Sequence, residues 1–141
     1  MKVLFDTSAL IPALVVASSN HKAAFEWLDK VHRKEITGFV SAHSIAELYA
    51  FLSGPGKKRP EDVLFVIEKE IVPYMQVVAL TEQEYISMVT EMAKAQLAGG
   101  ITYDAIHAYA ARKADVDIIV TGNTKDFTRL CPVPPPEIVT V

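Results

Sequence analysis

The chain has 141 residues, half of them hydrophobic and 22% charged, which is the composition of one soluble globular domain and not of a disordered or coiled-coil chain. A net charge of −3 counts against a protein that grips nucleic acid by overall basicity, although divalent cations held in an acidic site reverse the sign locally. The single cysteine, Cys131, rules out an internal disulfide or a zinc knuckle and suits a reducing cytoplasm.

Lys2-Val3-Leu4-Phe5 is a short apolar run that stops at Asp6, the pattern of a buried parallel strand, and Thr7 or Ser8 is placed to cap a short helix bent by Pro12. The apolar stretch Ala9 to Ala17 after Met1-Lys2 is not expected to make a secretory leader, because Asp6 interrupts the apolar region and Pro12 would break its helix. No stretch reaches the roughly 18 apolar residues of a membrane span.

Asn20 opens a helix over His21 to Lys34, with Ala24, Phe25, Leu28 and Val31 at helical spacing. Gly38-Phe39-Val40 reads as a second strand and Ser41 to Leu52 as the helix after it. The breaker Gly54-Pro55-Gly56-Lys57-Lys58-Arg59-Pro60 separates that helix from Glu61 to Val72, which carries Val63, Val66, Ile67 and Ile71 on one face.

Gln76 to Leu80 is a third strand, and Thr81-Glu82-Gln83-Glu84 is a capping box for a helix running to about Ala98, where Gly99-Gly100 ends it. Thr102 to Ala114 is an alanine-rich helix, and Asp117 to Thr121 is a fourth strand apolar enough to be covered on both faces. Cys131 to Pro136 reads as extended polyproline II, delivering Glu137 to Val141 as a last strand at a sheet edge. No repeat or linker divides the chain, so residues 1–141 form a single domain with a parallel sheet of four or five strands between helical layers.

This alternation places the candidate chemistry. Asp6 ends the first strand, Glu47 lies in the first turns of the helix after the second, Asp104 lies in the first turn of the helix after Gly99-Gly100, and Asn123 and Asp126 follow the fourth strand. Ends of parallel strands cluster, so these groups share one end of the sheet. Carboxylates drawn together repel unless cations sit between them, and oxygen-only donors suit Mg²⁺ or Mn²⁺ better than Zn²⁺. Paired ions of that kind serve phosphoryl chemistry.

Plainer readings stand beside this one: Asp6 as a helix cap, Ser44 to Glu47 as a capping box, Asp104 as a charge on a helix dipole, Asp126 as a solvated loop residue. His43 and Glu47, four apart, could share a helix face as zinc ligands do, but no further histidine accompanies them locally. His107, one turn after Asp104, reads as a packed or hydrogen-bonded helix residue. Lys57-Lys58-Arg59, with Lys30, Arg33 and Lys34 elsewhere, could form a rim for RNA phosphates, but a solvated basic loop is the plainer reading. Trp27, Tyr49, Phe51 and Tyr103 could stack on bases, but at helical spacing they read as core or dimer contacts.

The motifs Phe5-Asp6-Thr7-Ser8-Ala9-Leu10, Ser44-Ile45-Ala46-Glu47-Leu48, Thr102-Tyr103-Asp104-Ala105-Ile106-His107-Ala108-Tyr109-Ala110 and Ile119-Val120-Thr121-Gly122-Asn123-Thr124-Lys125-Asp126-Phe127 resemble, in order and over the whole length, those of PIN domains. More narrowly the chain is similar to VapC-type toxins of prokaryotic toxin–antitoxin pairs. The resemblance implies an α/β/α fold, a Mg²⁺- or Mn²⁺-dependent ribonuclease acting on RNA, a homodimer, and inhibition by a cognate antitoxin whose tail enters the acidic groove. It implies Asp6 and Asp104 as principal metal ligands and Glu47 as a ligand or water-orienting base. Asn123 or Asp126 completes the site, and Asn123 stands where many relatives have Asp. Ser8 and Thr121 would support the ligands or touch substrate.

The face of Val63, Val66, Ile67 and Ile71 is then the expected surface for a second subunit or the antitoxin. A catalytically silent PIN-fold module holding RNA or protein is the alternative, kept open by Asn123. Two phosphate-handling folds that also end a first strand in Asp fit poorly. Ser8 occupies the place of the second Asp of a haloacid-dehalogenase, and Lys2 to Ser8 lacks a receiver domain's acidic pair.

Overall fold

The β-α-β-α alternation is present in the computed structural model, which describes residues 1–141. The elements are β1 (Lys2–Phe5), α1 (Thr7–Leu14), α2 (His21–His32), β2 (Thr37–Ser41), α3 (Ala42–Leu52) and α4 (Pro60–Val66), the last continued by a π-helical segment (Ile67–Ile71). β3 (Met75–Val78), α5 (Glu82–Lys94), α6 (Ile101–Ala114), β4 (Ile118–Thr121), α7 (Thr124–Leu130) and β5 (Glu137–Thr140) follow. All five strands are parallel, in the order β3-β2-β1-β4-β5, so β5 is an edge strand as expected.

Successive strand residues point to opposite faces, and the two faces carry separate cores. Val3, Phe5, Val40 and Val120 pack with α1 to α4, whereas Leu4, Phe39 and Ile119 pack with α6 and α7. The short alanines of α6, among them Ala108, Ala110 and Ala111, let that helix lie close to the sheet. Gly38 serves the other face: a Cβ there would stand 2.9 Å from a Val31 methyl and 3.1 Å from Met75. α2 could not approach β2 over any larger residue.

Three sequence expectations are corrected. Val63, Ile67 and Ile71 are buried in the larger core, so the face proposed for a partner is filled by the chain itself. Helix α5 stops at Lys94 and not at Ala98. Gln96 takes a left-handed conformation there, the Leu97 amide turns back to the Met92 carbonyl, and Leu97 packs against the core between α5 and α6. Residues 133–136 bend instead of running as polyproline II, with the Pro134–Pro135 and Pro135–Pro136 bonds cis. No helix is long and apolar enough to cross a membrane.

The topology fixes where a ligand can go. From β1 the chain moves to β2 and β3 on one side, then returns to place β4 and β5 on the other. The crevice beyond the carboxyl ends of β1 and β4 is therefore a topological switch point, where open α/β sheets bind ligands.

Candidate active site

Asp6 occupies the end of β1 at that crevice. It is the residue before α1, yet its carboxylate makes no capping hydrogen bond; the backbone carbonyl accepts the Ala9 and Leu10 amides instead. The buried carboxylate accepts from the Thr121 hydroxyl at 2.8 Å and from the Ser8 hydroxyl. The Ser8 oxygen in turn accepts the Gly122 amide at 2.8 Å, and the Thr121 oxygen accepts the Asn123 amide at 2.9 Å. Ser8 and Thr121 thus lace the end of β1 to the loop after β4, across the switch point.

Glu47 projects from the second turn of α3, whose cap is Ser41, not Ser44: the Ser44 amide donates to the Ser41 hydroxyl at 3.2 Å. The Glu47 carboxylate is free of capping. One of its oxygens accepts from the Thr7 hydroxyl and from His107 Nε2 at 3.0 Å, and the other lies 3.3 Å from His43 Nε2. Burial raises its pKa, but the hydrogen bonds from His107 and Thr7 outweigh that, leaving the carboxyl below its ordinary value.

His107 is fully buried and lies between Ser41, 2.8 Å from Nδ1, and the carboxylates of Glu47 and Asp6, at 3.0 and 3.5 Å from Nε2. The ionised Glu47 carboxylate can only accept, so Nε2 carries the proton of that bond. The sequence reading of a hydrogen-bonded helix residue holds, but it missed that the partners are the site carboxylates. The signal was available in the spacing of His107 one turn beyond Asp104, on the same face of α6. Thr7 was missed as well. His43 has no second histidine near it in the sequence, but across the fold the His107 ring lies 5.9 Å away, and the His43 ring itself stacks on Tyr103 at 5.6 Å and 5°.

Asp104 faces this group from the first turn of α6. Burial, then the charges of Asp6 and Asp126, push its carboxyl up to about 6, against a smaller opposing effect of His107. Asn123 extends its side-chain nitrogen to Asp104 at 3.1 Å and to Asp126 at 3.0 Å, joining the two acids. Asp126 is also 3.5 Å from Arg129.

Asp6, Thr7, Ser8, Ile11, Glu47, Ala50, Phe51, Asp104 and Asn123 line one open cavity of about 550 Å³. Asp126 is not in its wall but reaches it through Asn123. No three Asp, Glu, His or Cys side chains converge closely enough for a closed metal cage. The donor set nevertheless fits a hard divalent cation. Mg²⁺ keeps several waters and needs only one or two protein carboxylates, and a cation beside Asp104 would relieve the repulsion that lifts its pKa. Zinc fits less well, because both histidines point to Glu47 instead of converging on a shared point.

Residues 3–131 match the PIN domain family. The chain belongs to that family. No curated protein sequence matches it. Among solved structures, the PIN domain is similar to VapBC2 of Rickettsia felis bound to a promoter DNA fragment, with 19% identity, 100% of this chain and 99% of that one covered, and a TM-score of 0.69. It is also similar to FitAcB of Neisseria gonorrhoeae, at 19% identity over 97% and 96% of the two chains with a TM-score of 0.70. VapC20 of Mycobacterium tuberculosis, a sarcin–ricin-loop-cleaving toxin, shares 14% identity over 90% and 94%, with a TM-score of 0.71. At such identities the likeness shows a common fold, the α/β/α arrangement with an all-parallel five-stranded sheet.

Proposed function

We propose that this PIN domain is a Mg²⁺- or Mn²⁺-dependent endoribonuclease, acting in the cytoplasm as the toxin of a toxin–antitoxin pair. The observation that carries the reading is Asp104, whose carboxyl is lifted to about 6 by burial and by acidic neighbours around one cavity at the switch point. A cavity wall that gathers Asp6, Glu47 and Asp104 with no Lys or Arg paired to them is built for a mobile cation. The similarity to VapC20 and to the VapBC and FitAcB assemblies supports RNA as substrate and an antitoxin as protein partner, and a homodimer is proposed as the working form on the family resemblance alone.

In this reading Asp6, Asp104 and Glu47 hold the metal, and Asn123 adds a carbonyl oxygen if its amide turns. The bound cation would supply activation of water and charge stabilisation at the phosphodiester. The chain's residues do the rest. Ser8 and Thr121 fix the Asp6 carboxylate, His107 and Thr7 hold Glu47 ionised and oriented, and Asp126 steadies Asn123 from behind.

A catalytically silent module is the second reading, favoured by the way Asn123 already satisfies Asp104 and Asp126 with its own N–H groups. Incubation of the purified chain with transfer, ribosomal and messenger RNAs in Mn²⁺ decides between them. Cleavage that EDTA stops and that Asp104→Asn removes is expected. An intact RNA panel, with no difference between wild type and Asp104→Asn, would leave the silent module.

A further inference from the structure

Phe51 is 46% exposed, although its neighbours Leu48 and Leu52 on α3 are in the core. It stands four residues after Glu47, so the two side chains share a helix face about 6 Å apart along the axis. With Glu47, Asp6 and Asp104 it lines the acidic cavity, and with Val15, Leu52, Lys57 and Lys58 it lines a second one of about 310 Å³. Phe51 therefore belongs to the walls of both. Lys57, which borders only the second cavity, places its ammonium 3.3 Å from the ring centroid.

The loop that carries the two lysines is folded back onto the end of α3. The Lys57 amide donates to the Gly54 carbonyl, the Lys58 amide donates to the Leu52 carbonyl, and Gly56 makes the turn at φ 72°. Arg59 is paired with Glu61 and Asp62, whereas neither Lys57 nor Lys58 has an ion-pair partner. Two cations without ion-pair partners and a half-exposed aromatic ring therefore adjoin a cavity that, being acidic, cannot by itself attract a polyanion.

We propose that Phe51, Lys57 and Lys58 form a nucleotide subsite of the same groove: an unpaired base stacks on Phe51, and its flanking phosphate is held by the two lysines. The proposal rests on the endoribonuclease reading for its substrate and is tested apart from it. Stacking on an aromatic accepts any base, and the lysines supply the counterion-releasing contacts that the cavity lacks. Specificity for unpaired RNA then comes from this end of α3, one helical turn from Glu47.

The test is fluorescence anisotropy of a labelled, unstructured, mixed-sequence RNA with the full chain in Ca²⁺, which fills a hard-cation site without supporting turnover. Phe51→Ala weakens binding about tenfold and Phe51→Trp retains it. Lys57→Gln with Lys58→Gln lowers the slope of log affinity against log salt by about 1.4, two single-strand phosphate contacts' worth. Unchanged affinity and slope in these variants, or no binding by wild type, overturns the subsite and leaves the surface to a protein partner. If wild type cleaves RNA while Phe51→Ala binds and cleaves equally well, the subsite falls and the activity stands. If wild type binds RNA with the expected variant effects but cuts none in Mn²⁺, the activity falls and the subsite stands.

Discussion

Asp104, with its raised carboxyl, carries an electrostatic cost with a defined pH dependence. Its carboxyl titrates near 6 in the folded chain against 3.8 when unfolded, so the folded state binds the proton more tightly. Stability of the metal-free protein therefore falls as pH rises from about 4 to about 6, and the penalty is fully present above that. Asp104→Asn removes it. In EDTA the variant is expected to melt above wild type at pH 7, with the difference vanishing below pH 4; a variant that melts lower at pH 7 would contradict the assignment of the charge. Catalysis responds in the opposite sense. Asp6→Asn and Asp104→Asn are each expected to lower the rate at least about a hundredfold, as removal of a charge-stabilising group does. Asp126→Asn is expected to lose less, because Asp126 stands behind Asn123 and outside the cavity wall. Near-wild-type turnover in Asp6→Asn would remove the metal assignment.

Legibility in the sequence followed the range over which each element is determined. β1, β4 and the capping box of α5 were readable because an apolar run or the Thr81-to-Glu84 pair fixes them locally, and the structure forms that box with both of its hydrogen bonds. The breaker before Pro60 likewise separates α3 from α4. The end of α5 was not readable, since it depends on Leu97 finding a place between two helices. The same limit applied to the site: the order of Asp6, Glu47 and Asp104 was visible along the chain, whereas the contact of His107 with Glu47 spans 60 residues and needs α3 and α6 packed on the same end of the sheet. The stripe Val63, Ile67 and Ile71 shows the converse error, because periodicity reveals an apolar face without saying what covers it. The core covers it here, so Ile71→Ala is expected to cost about 2–5 kcal/mol in denaturant unfolding. Leu64→Ser and Phe65→Ser, on exposed positions of the same helix, are expected to change stability by about 0.5 kcal/mol or less. Equal effects at Ile71 and Phe65 would mean that the helix is packed the other way round.

At the scale of the molecule, the cavity joins parts that the sheet otherwise keeps apart. Asp6 and Glu47 come from β1 and α3, while Asp104 and Asn123 come from α6 and the loop after β4, so the groups span both sides of the switch point. An ion shared among them binds only when the whole architecture is assembled, because in the unfolded chain Asp6 and Asp104 are separated by most of its length. Binding must then stabilise the fold by mass action, by about 2.7 kcal/mol at a hundredfold excess over its dissociation constant. For a domain of this size that corresponds to a rise in melting temperature on the order of 10 °C. Addition of Mn²⁺ to the metal-free protein is expected to give such a rise, EDTA to reverse it, and Asp6→Asn or Asp104→Asn to suppress most of it. Glu61→Gln, on the exposed start of α4, serves as the control and should keep the full rise. An equal rise in wild type, Asp6→Asn and Asp104→Asn would place the cation elsewhere on the molecule, since a shared ion cannot lose either ligand without loss of affinity.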